Sequence, residues 1–456
     1  MNKKNAVAID ENTPLLMLAG PMFLELLLNT MLNNVDTLML SHYDEYAVGA
    51  VGNANTIMFM MNILFNIIAT ATSVVVAQYL GARQYDSMNM IYTLAVTVNL
   101  VFGLVLSGLF CLANPLIMNF LHVSREMRPY SMIYIYIVGG GGFLTAVFNV
   151  MLQILRCNGH TRIGMWVTFA INIINIGGNY LFLYGPLKVL NMGVAGVATS
   201  TVFARFLAAV ALLLFFFATK TGRLSLRYLN PFPGKLLGKM IKIGLPSAGE
   251  NLTYNLYQTT LLSFVNGMGN DSVNARAYCN SLIAFGMIFS NAAAMSTQII
   301  TGHLVGAGKS EEAYRRVFKT LRVSMPITIA LSSANALLCR YTLGFFTSNQ
   351  NVIALGQMIM IVDIFVETGR CLNMTFVNSL KAAGAYVFPL IMGILCNWGL
   401  GLTTGYVVGV ALGAGVAGIF AGTATDECIR GLIVMYYWYK KKWLGKSVVD
   451  SSPYRK

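Results

Sequence analysis

Of the 456 residues, 56% are hydrophobic and only 11% charged, where a soluble domain carries about 25% charged residues. Apolar runs of about 20 residues or more, the length a helix needs to cross a bilayer, recur from one end of the chain to the other. This excludes a soluble enzyme, a secreted disulfide scaffold and a nucleic-acid binder, so the net charge of +14 reads as membrane topology. The seven cysteines (Cys111, Cys157, Cys279, Cys339, Cys371, Cys396 and Cys428) are scattered, odd in number and without CxxC spacing, which points to neither disulfides nor a metal site.

Taken in chain order, the runs predict an all-α polytopic protein of twelve transmembrane helices: 14–40, 48–78, 88–112, 130–155, 163–184, 193–219, 238–267, 272–303, 318–340, 351–380, 386–410 and 413–438. The first carries Pro21, Glu25 and Asp36, and no small-residue cleavage site precedes it, so it is expected to be retained. The second ends at Gly81-Ala82-Arg83, the fifth carries Asn172, Asn175 and Asn179, and Gly193-Val194-Ala195-Gly196 opens the sixth. A basic linker with Pro231 and Pro233 follows. The seventh carries Pro246 and Glu250, the eighth ends at Gly306-Ala307-Gly308-Lys309, the tenth carries Asp363, Glu367 and Arg370, and the twelfth Asp426, Glu427 and Arg430. The domains read as an N-terminal lobe at 1–219, a linker at 220–237, a C-terminal lobe at 238–440 and a basic tail at 441–456.

Basic residues orient these spans. Of 31, 23 fall on the side of the amino terminus: Lys3, Lys4, Arg83, Arg156, Arg162, six in and after the linker, Lys309, Arg315, Arg316, Lys319, Arg322, Lys381 and six in the tail, including Arg455 and Lys456. Five (Arg125, Arg128, Lys188, Arg276 and Arg340) fall opposite, and Arg205, Arg370 and Arg430 lie within spans. The positive-inside rule places both termini in the cytoplasm, in a multi-pass cytoplasmic (inner) membrane protein. The lysines after Trp438 sit where anionic head groups attract them.

Shifting the sequence by 225 positions aligns Pro21 with Pro246, Glu25 with Glu250, Asn66 with Asn291, Thr72 with Thr297, Gly81-Ala82 with Gly306-Ala307, Gly159 with Gly384 and Asn172 with Asn397. Near the end of each half, Gly193-Val194-Ala195-Gly196 matches Gly415-Val416-Ala417-Gly418 at 222. Polar, Gly and Pro identities in one register indicate a duplication. Six spans per half is an even number, so both halves insert in the same direction, the parallel-repeat plan of several secondary transporters.

Ionisable residues inside spans are costly and are functional candidates by default. Asp36 has no basic residue within a helical turn and follows Asn33 and Asn34. Such a carboxylate can hold a proton or, ionised, a cation; alternatively it is an interfacial residue close to the outer surface. Glu25 and Glu250 lie four residues after equivalent prolines, where they either bond polar groups of neighbouring helices or bind a substrate cation. Asp363, Glu367 and Arg370 share a helical face, with Arg370 able to pair with Glu367, which leaves Asp363 as a possible second ion or substrate site. Asp426, Glu427 and Arg430 are spaced to pair among themselves and read as structural.

The two six-helix halves, Pro21 followed by Asn34-Val35-Asp36-Thr37-Leu38-Met39, the Gly81-Ala82-Arg83 and Gly306-Ala307-Gly308-Lys309 turns and Gly193-Val194-Ala195-Gly196 together resemble the multidrug and toxic compound extrusion (MATE) family. The resemblance covers nearly the whole chain. It implies a V-shaped pair of lobes and a cation-coupled exporter of drugs or toxins driven by protons or sodium, with no other cofactor. It also implies that Asp36 works with Asn175, Asn179 and a threonine, Thr199 or Thr201, and that the only metal is a sodium ion at Asp36. Position 179 departs from the pattern, being an amide where a carboxylate is common, which weakens sodium binding and favours a proton-only cycle or a modified site; alternatively these asparagines, with Asn172, are interhelical hydrogen-bond glue. Pro21 and Pro246 are the helix-bending positions. The expected partners are amphipathic, cationic small molecules and the lipid bilayer, with no nucleic acid and a monomer as the working unit. A flippase or exporter of a lipid-linked or anionic metabolite is the rival transporter reading, for which Arg205 and Arg370 are the obvious basic residues. A membrane-embedded enzyme is disfavoured, since no nucleotide loop, metal-ligand cluster or nucleophile motif occurs in a span.

Overall fold

A computed structural model of the chain describes residues 9–41, 45–120, 123–186 and 192–449. Lys3, Lys4, Lys188, Arg455 and Lys456, the tail from 450 onward, and the side chains of Asn33 and Asn34 lie outside the described residues. Among those described there is no strand. The first half contains α1 (Leu15–Ser41), α2 (Glu45–Gly81), α3 (Tyr85–Phe120), α4 (Arg128–Tyr134), a π-helical turn (Ile135–Gly139), α5 (Gly142–Cys157), α6 (Thr161–Leu183) and α7 (Val194–Ala218). The second contains α8 (Gly234–Asn266), α9 (Asn270–Gly306), α10 (Ser310–Gly344), α11 (Gln350–Ala382), α12 (Val387–Ile394), α13 (Leu402–Thr404) and α14 (Gly415–Tyr439), with π-helical stretches at Leu395–Gly401 and Gly405–Ala411 flanking α13.

These make twelve helical segments at the twelve expected places. The fourth is bent by 44° where α4 and its π turn meet α5, and the eleventh is the run from α12 to the second π stretch. Nine described helices, or ten with the bent pair as one, are long and apolar enough to cross a membrane by length and composition. The other two are α8, with Asn251, Asn255, Gln258, Thr259 and Thr260 in its middle, and α14, with Asp426, Glu427 and Arg430. Leu112, Leu337 and Phe345 are 81%, 80% and 88% exposed. Side chains of that kind suit a lipid-facing surface.

The described helices gather into two compact units: one within residues 24–244, and one of residues 9–23 together with 245–449. The division falls inside α1 beside Pro21 and inside α8 beside Pro246, although both helices continue through the proline. Proline removes one backbone hydrogen bond and crowds the preceding turn, so helices change direction there at least cost. In the first unit Leu40, Val51, Ile57, Tyr134, Leu183 and Val197 form a buried core from α1, α2, α4, α6 and α7. In the second, Tyr257, Leu261, Cys279, Leu343, Met360 and Ile419 join α8, α9, α10, α11 and α14. The linker is tied to α3 of its own unit: Asn89 accepts from the Arg223 backbone N–H at 2.8 Å, and Thr93 from that of Ser225 at 3.3 Å.

The duplication extends to backbone geometry. Left-handed residues occur at Arg83 and Gly308 (φ 58° and 75°), at Gly159 and Gly384 (85° and 88°), and at Gly193 and Gly415 (46° and 65°). Each pair stands at the 225 or 222 offset. At Gly384 a side chain is also excluded by space, since an added Cβ would lie 1.9 Å from the Lys446 carbonyl oxygen. The halves diverge at the eleventh segment. There α14 presents Gly418 and Gly422, whose added Cβ atoms would lie 2.6 Å from Gly409 Cα and 2.5 Å from the Gly401 carbonyl oxygen. Backbone meets backbone as small-residue membrane interfaces allow, and this contact runs along the π-helical stretches. The corresponding segment of the first half, α6, is an uninterrupted α-helix.

Candidate functional site

In the first unit, α6 and α7 approach closely because Gly178 faces Ser200: a Cβ on Gly178 would lie 2.1 Å from the Ser200 hydroxyl oxygen. Ser200 donates to the Asn175 carbonyl at 3.0 Å. That contact brings Thr201 to the Asn175 side chain, whose Nδ2 donates to Thr201 Oγ1 at 3.1 Å. Asn175 and Asn179 lie one turn apart on α6, and Asn179 Nδ2 donates both to Asn175 Oδ1 at 3.0 Å and to Asp36 Oδ1 of α1 at 2.7 Å. A continuous chain thus runs Asp36, Asn179, Asn175, Thr201. Asn175 and Asn179 are buried and Asp36 half-buried. Both threonine hydroxyls donate within α7, Thr199 to the Ala195 carbonyl at 2.8 Å and Thr201 to that of Val197 at 3.0 Å, but only Thr201 accepts from Asn175 among the described residues. Asn172 is used elsewhere, donating to the Leu28 carbonyl at 2.8 Å.

The chain contains one carboxylate and no cation. Asp36 forms no ion pair among the described residues, and Asn179 Oδ1 is buried with no hydrogen-bond partner. One turn beyond Thr201 on the same face of α7, the half-buried Arg205 places its guanidinium 5.5 Å from the centroid of the Phe148 ring. Among the described residues it too forms no ion pair. The arrangement offers uncommitted oxygen atoms beside a single acid, the donor chemistry that suits a proton or a hard cation.

Glu25 and Glu250 are placed differently. Glu25 Oε1 lies 2.6 Å from Arg156 Nη2, with both side chains buried. Glu250 Oε2 lies 2.7 Å from Lys381 Nζ. Arg156 and Lys381 are themselves 225 positions apart, so each half carries an acid–base pair between its first and fourth segments, buried in the first half and with a half-buried Glu250 in the second.

In the second unit Glu367 pairs with Arg370, and Arg370 Nε also lies 3.7 Å from Glu427 Oε1 of α14. Arg430 Nη2 binds Asp426 at 3.1 Å and Glu427 at 3.0 Å. Asn373 donates to Glu427 at 2.8 Å, and the Tyr254 hydroxyl of α8 accepts from Arg370 at 3.4 Å. The two triads, separate in the sequence, are therefore one buried network. It holds four carboxylates (Asp363, Glu367, Asp426, Glu427) against two guanidiniums. Asp363 is 1% exposed and neither of its oxygens has a partner among the described residues. Arg156, Lys381, Tyr254 and Asn373 were absent from the sequence-based candidates. The shared offset of Arg156 and Lys381 was the signal for the first two.

The MatE family's sequence model matches residues 21–181 and 246–407, one copy in each half. The uncharacterized transporter YisQ of Bacillus subtilis is 33% identical over 439 residues, an alignment covering 96% of each chain. The probable multidrug resistance protein NorM of Thermotoga maritima is 24% identical, over 95% of this chain and 94% of its own. The solved outward-facing structure of a multidrug resistance MATE family transporter of the MOP superfamily matches with a TM-score of 0.88 at 18% identity, over 95% of this chain and 96% of that one, a likeness of fold. Matched by the family in both halves and by a relative from end to end, this chain belongs to the MatE family of multi-pass membrane efflux transporters.

Proposed function

We propose that the protein is a secondary active antiporter of the cytoplasmic membrane, with both termini in the cytoplasm, exporting amphipathic cationic small molecules in exchange for protons or sodium ions. The observation that carries this reading is the Asp36 carboxylate, which ends a chain of neutral donors and forms no ion pair among the described residues, with Arg205 as the nearby cation. A proton, a sodium ion and the positive end of a substrate all satisfy that carboxylate, and they do so in competition. Loading one therefore releases another, which is the essence of exchange. Asn179 and Asn175 hold the carboxylate in place, and their oxygens, with Thr201 Oγ1, supply the remaining ligands for a cation. Asp363, in a network with two more acids than guanidiniums, is the second loading point.

The test is dye-cation transport in proteoliposomes under separately imposed proton and sodium gradients, comparing wild type with Asp36→Asn. Gradient-driven transport in wild type, reduced at least tenfold in the variant, is the expected result, and the effective gradient names the ion. Wild type that moves no dye under either gradient would sink the proposal. In that case Arg205, a cation without an ion pair one turn from the site, favours an exporter of anionic or lipid-linked metabolites.

A further inference from the structure

Apart from the carboxylate networks, the second unit contains a cavity of about 700 Å³ at the start of α10. Four cations of that helix line it: Arg315, Arg316, Lys319 and Arg322. The acids beside them are partly committed. Glu312 pairs with Lys309 at 2.9 Å, and Glu311, just outside, pairs with Lys441 at 2.6 Å and Arg315 at 3.5 Å. Arg316 is 4% exposed; one Nη donates to the Glu11 carbonyl at 2.8 Å, while its Nε is buried without a partner. Lys319 and Arg322 are exposed and form no ion pair among the described residues. Arg315, Lys319 and Arg322, at spacings of four and three, share one face of α10.

Glu11, Asn12 and Glu312 complete the lining together with the aromatic rings of Tyr314, Phe318 and Tyr439. Lys441 adds a further cation 5.0 Å from the Tyr314 ring centroid. Further along α10, Val323 and Ile329 are 43% and 38% exposed. A basic recess with an aromatic rim, continuing into an apolar helix face, matches a phosphate joined to acyl chains rather than a free anion. Anionic lipids populate the cytoplasmic leaflet, where the proposed topology puts the α9–α10 turn.

We propose that this cavity binds the head group of an anionic phospholipid. Arg316 supplies a fixed donor from the wall, Lys319 and Arg322 close over the phosphate, and the acyl chains lie along α10. The inference rests on the cytoplasmic placement of this turn and is independent of what Asp36 couples to.

The test uses the full-length protein, delipidated in neutral detergent and titrated with phosphatidylglycerol, phosphatidylcholine or inorganic phosphate, with the thermal unfolding midpoint as readout. Phosphatidylglycerol is expected to raise the midpoint and phosphatidylcholine to leave it unchanged. Lys319→Gln with Arg322→Gln, both exposed and tolerant of exchange, should need about thirtyfold more phosphatidylglycerol for the same rise. Arg223→Gln with Arg227→Gln, an exposed basic pair of the linker, should behave as wild type. Three results would each overturn the proposal: an equal rise with phosphatidylcholine, a full rise with inorganic phosphate alone, or equal losses in the two double variants. Phospholipid retained through purification, counted by mass spectrometry, gives a second reading that does not depend on unfolding: the Lys319/Arg322 variant should retain less anionic lipid than the linker variant.

Discussion

At position 179 an amide nitrogen faces Asp36 at 2.7 Å. The consequence is electrostatic. An aspartate here would set two carboxylates within hydrogen-bond distance in a poorly solvated site, where like charges cannot both stay ionised without a proton or cation between them. The native amide donates instead, so Asp36 is satisfied with one ion fewer. Asn179→Asp is therefore expected to raise sodium affinity about tenfold or more, measured as the sodium concentration giving half-maximal dye transport at fixed pH. An unchanged sodium response would show that the carboxylate at 36 does not share its ion with position 179.

Helices meet through charge at two equivalent places. Glu25 with Arg156 ties α1 to α5, and Glu250 with Lys381 ties α8 to α11. Removing one member of a buried pair leaves an unpaired charge and costs about 3–5 kcal/mol, while replacing both is far less harmful. In a double-mutant cycle, Glu25→Gln and Arg156→Met singly should each lower stability to detergent-monitored thermal unfolding more than the double variant does. Additive losses would show that the two side chains do not act as a pair. The prolines and glutamates of these pairs were visible as repeated residues, but pairing depends on which helices lie side by side, which periodicity does not report. The same limit explains the threonine. Thr199 and Thr201 are equally plausible by spacing, and only the Gly178–Ser200 approach selects Thr201. Span positions were legible because apolar length is a property of the sequence itself. The π-helical stretches at 395–401 and 405–411 were not, because they arise where the glycines of α14 bring two backbones together. The merging of Asp363, Glu367 and Arg370 with Asp426, Glu427 and Arg430 was hidden for a similar reason: each triad satisfies helical spacing alone, and Glu427 reaches Arg370 only through the packing of α14 on α11.

Across the whole molecule, orientation follows from counting charges over both halves together. Because each half has six segments, the turns after the second and fourth segments return to the same side in both: Arg83, Arg156 and Arg162 in the first half, and Lys309, Arg315, Arg316 and Lys381 in the second. Had the halves inserted in opposite directions, these two groups would face opposite sides and the bias of 23 against five would largely cancel. On the proposed topology the insertion machinery reads the same signal twice. In a background free of the seven cysteines, a cysteine at Lys309 should resist a membrane-impermeant maleimide in intact cells and react in inside-out vesicles. One at Asp271, in the first turn of α9 after the seventh segment, should react in intact cells. Labelling of position 309 from outside would reverse the topology, remove the cytoplasmic leaflet from the α10 cavity and recast the transport direction inferred for Asp36.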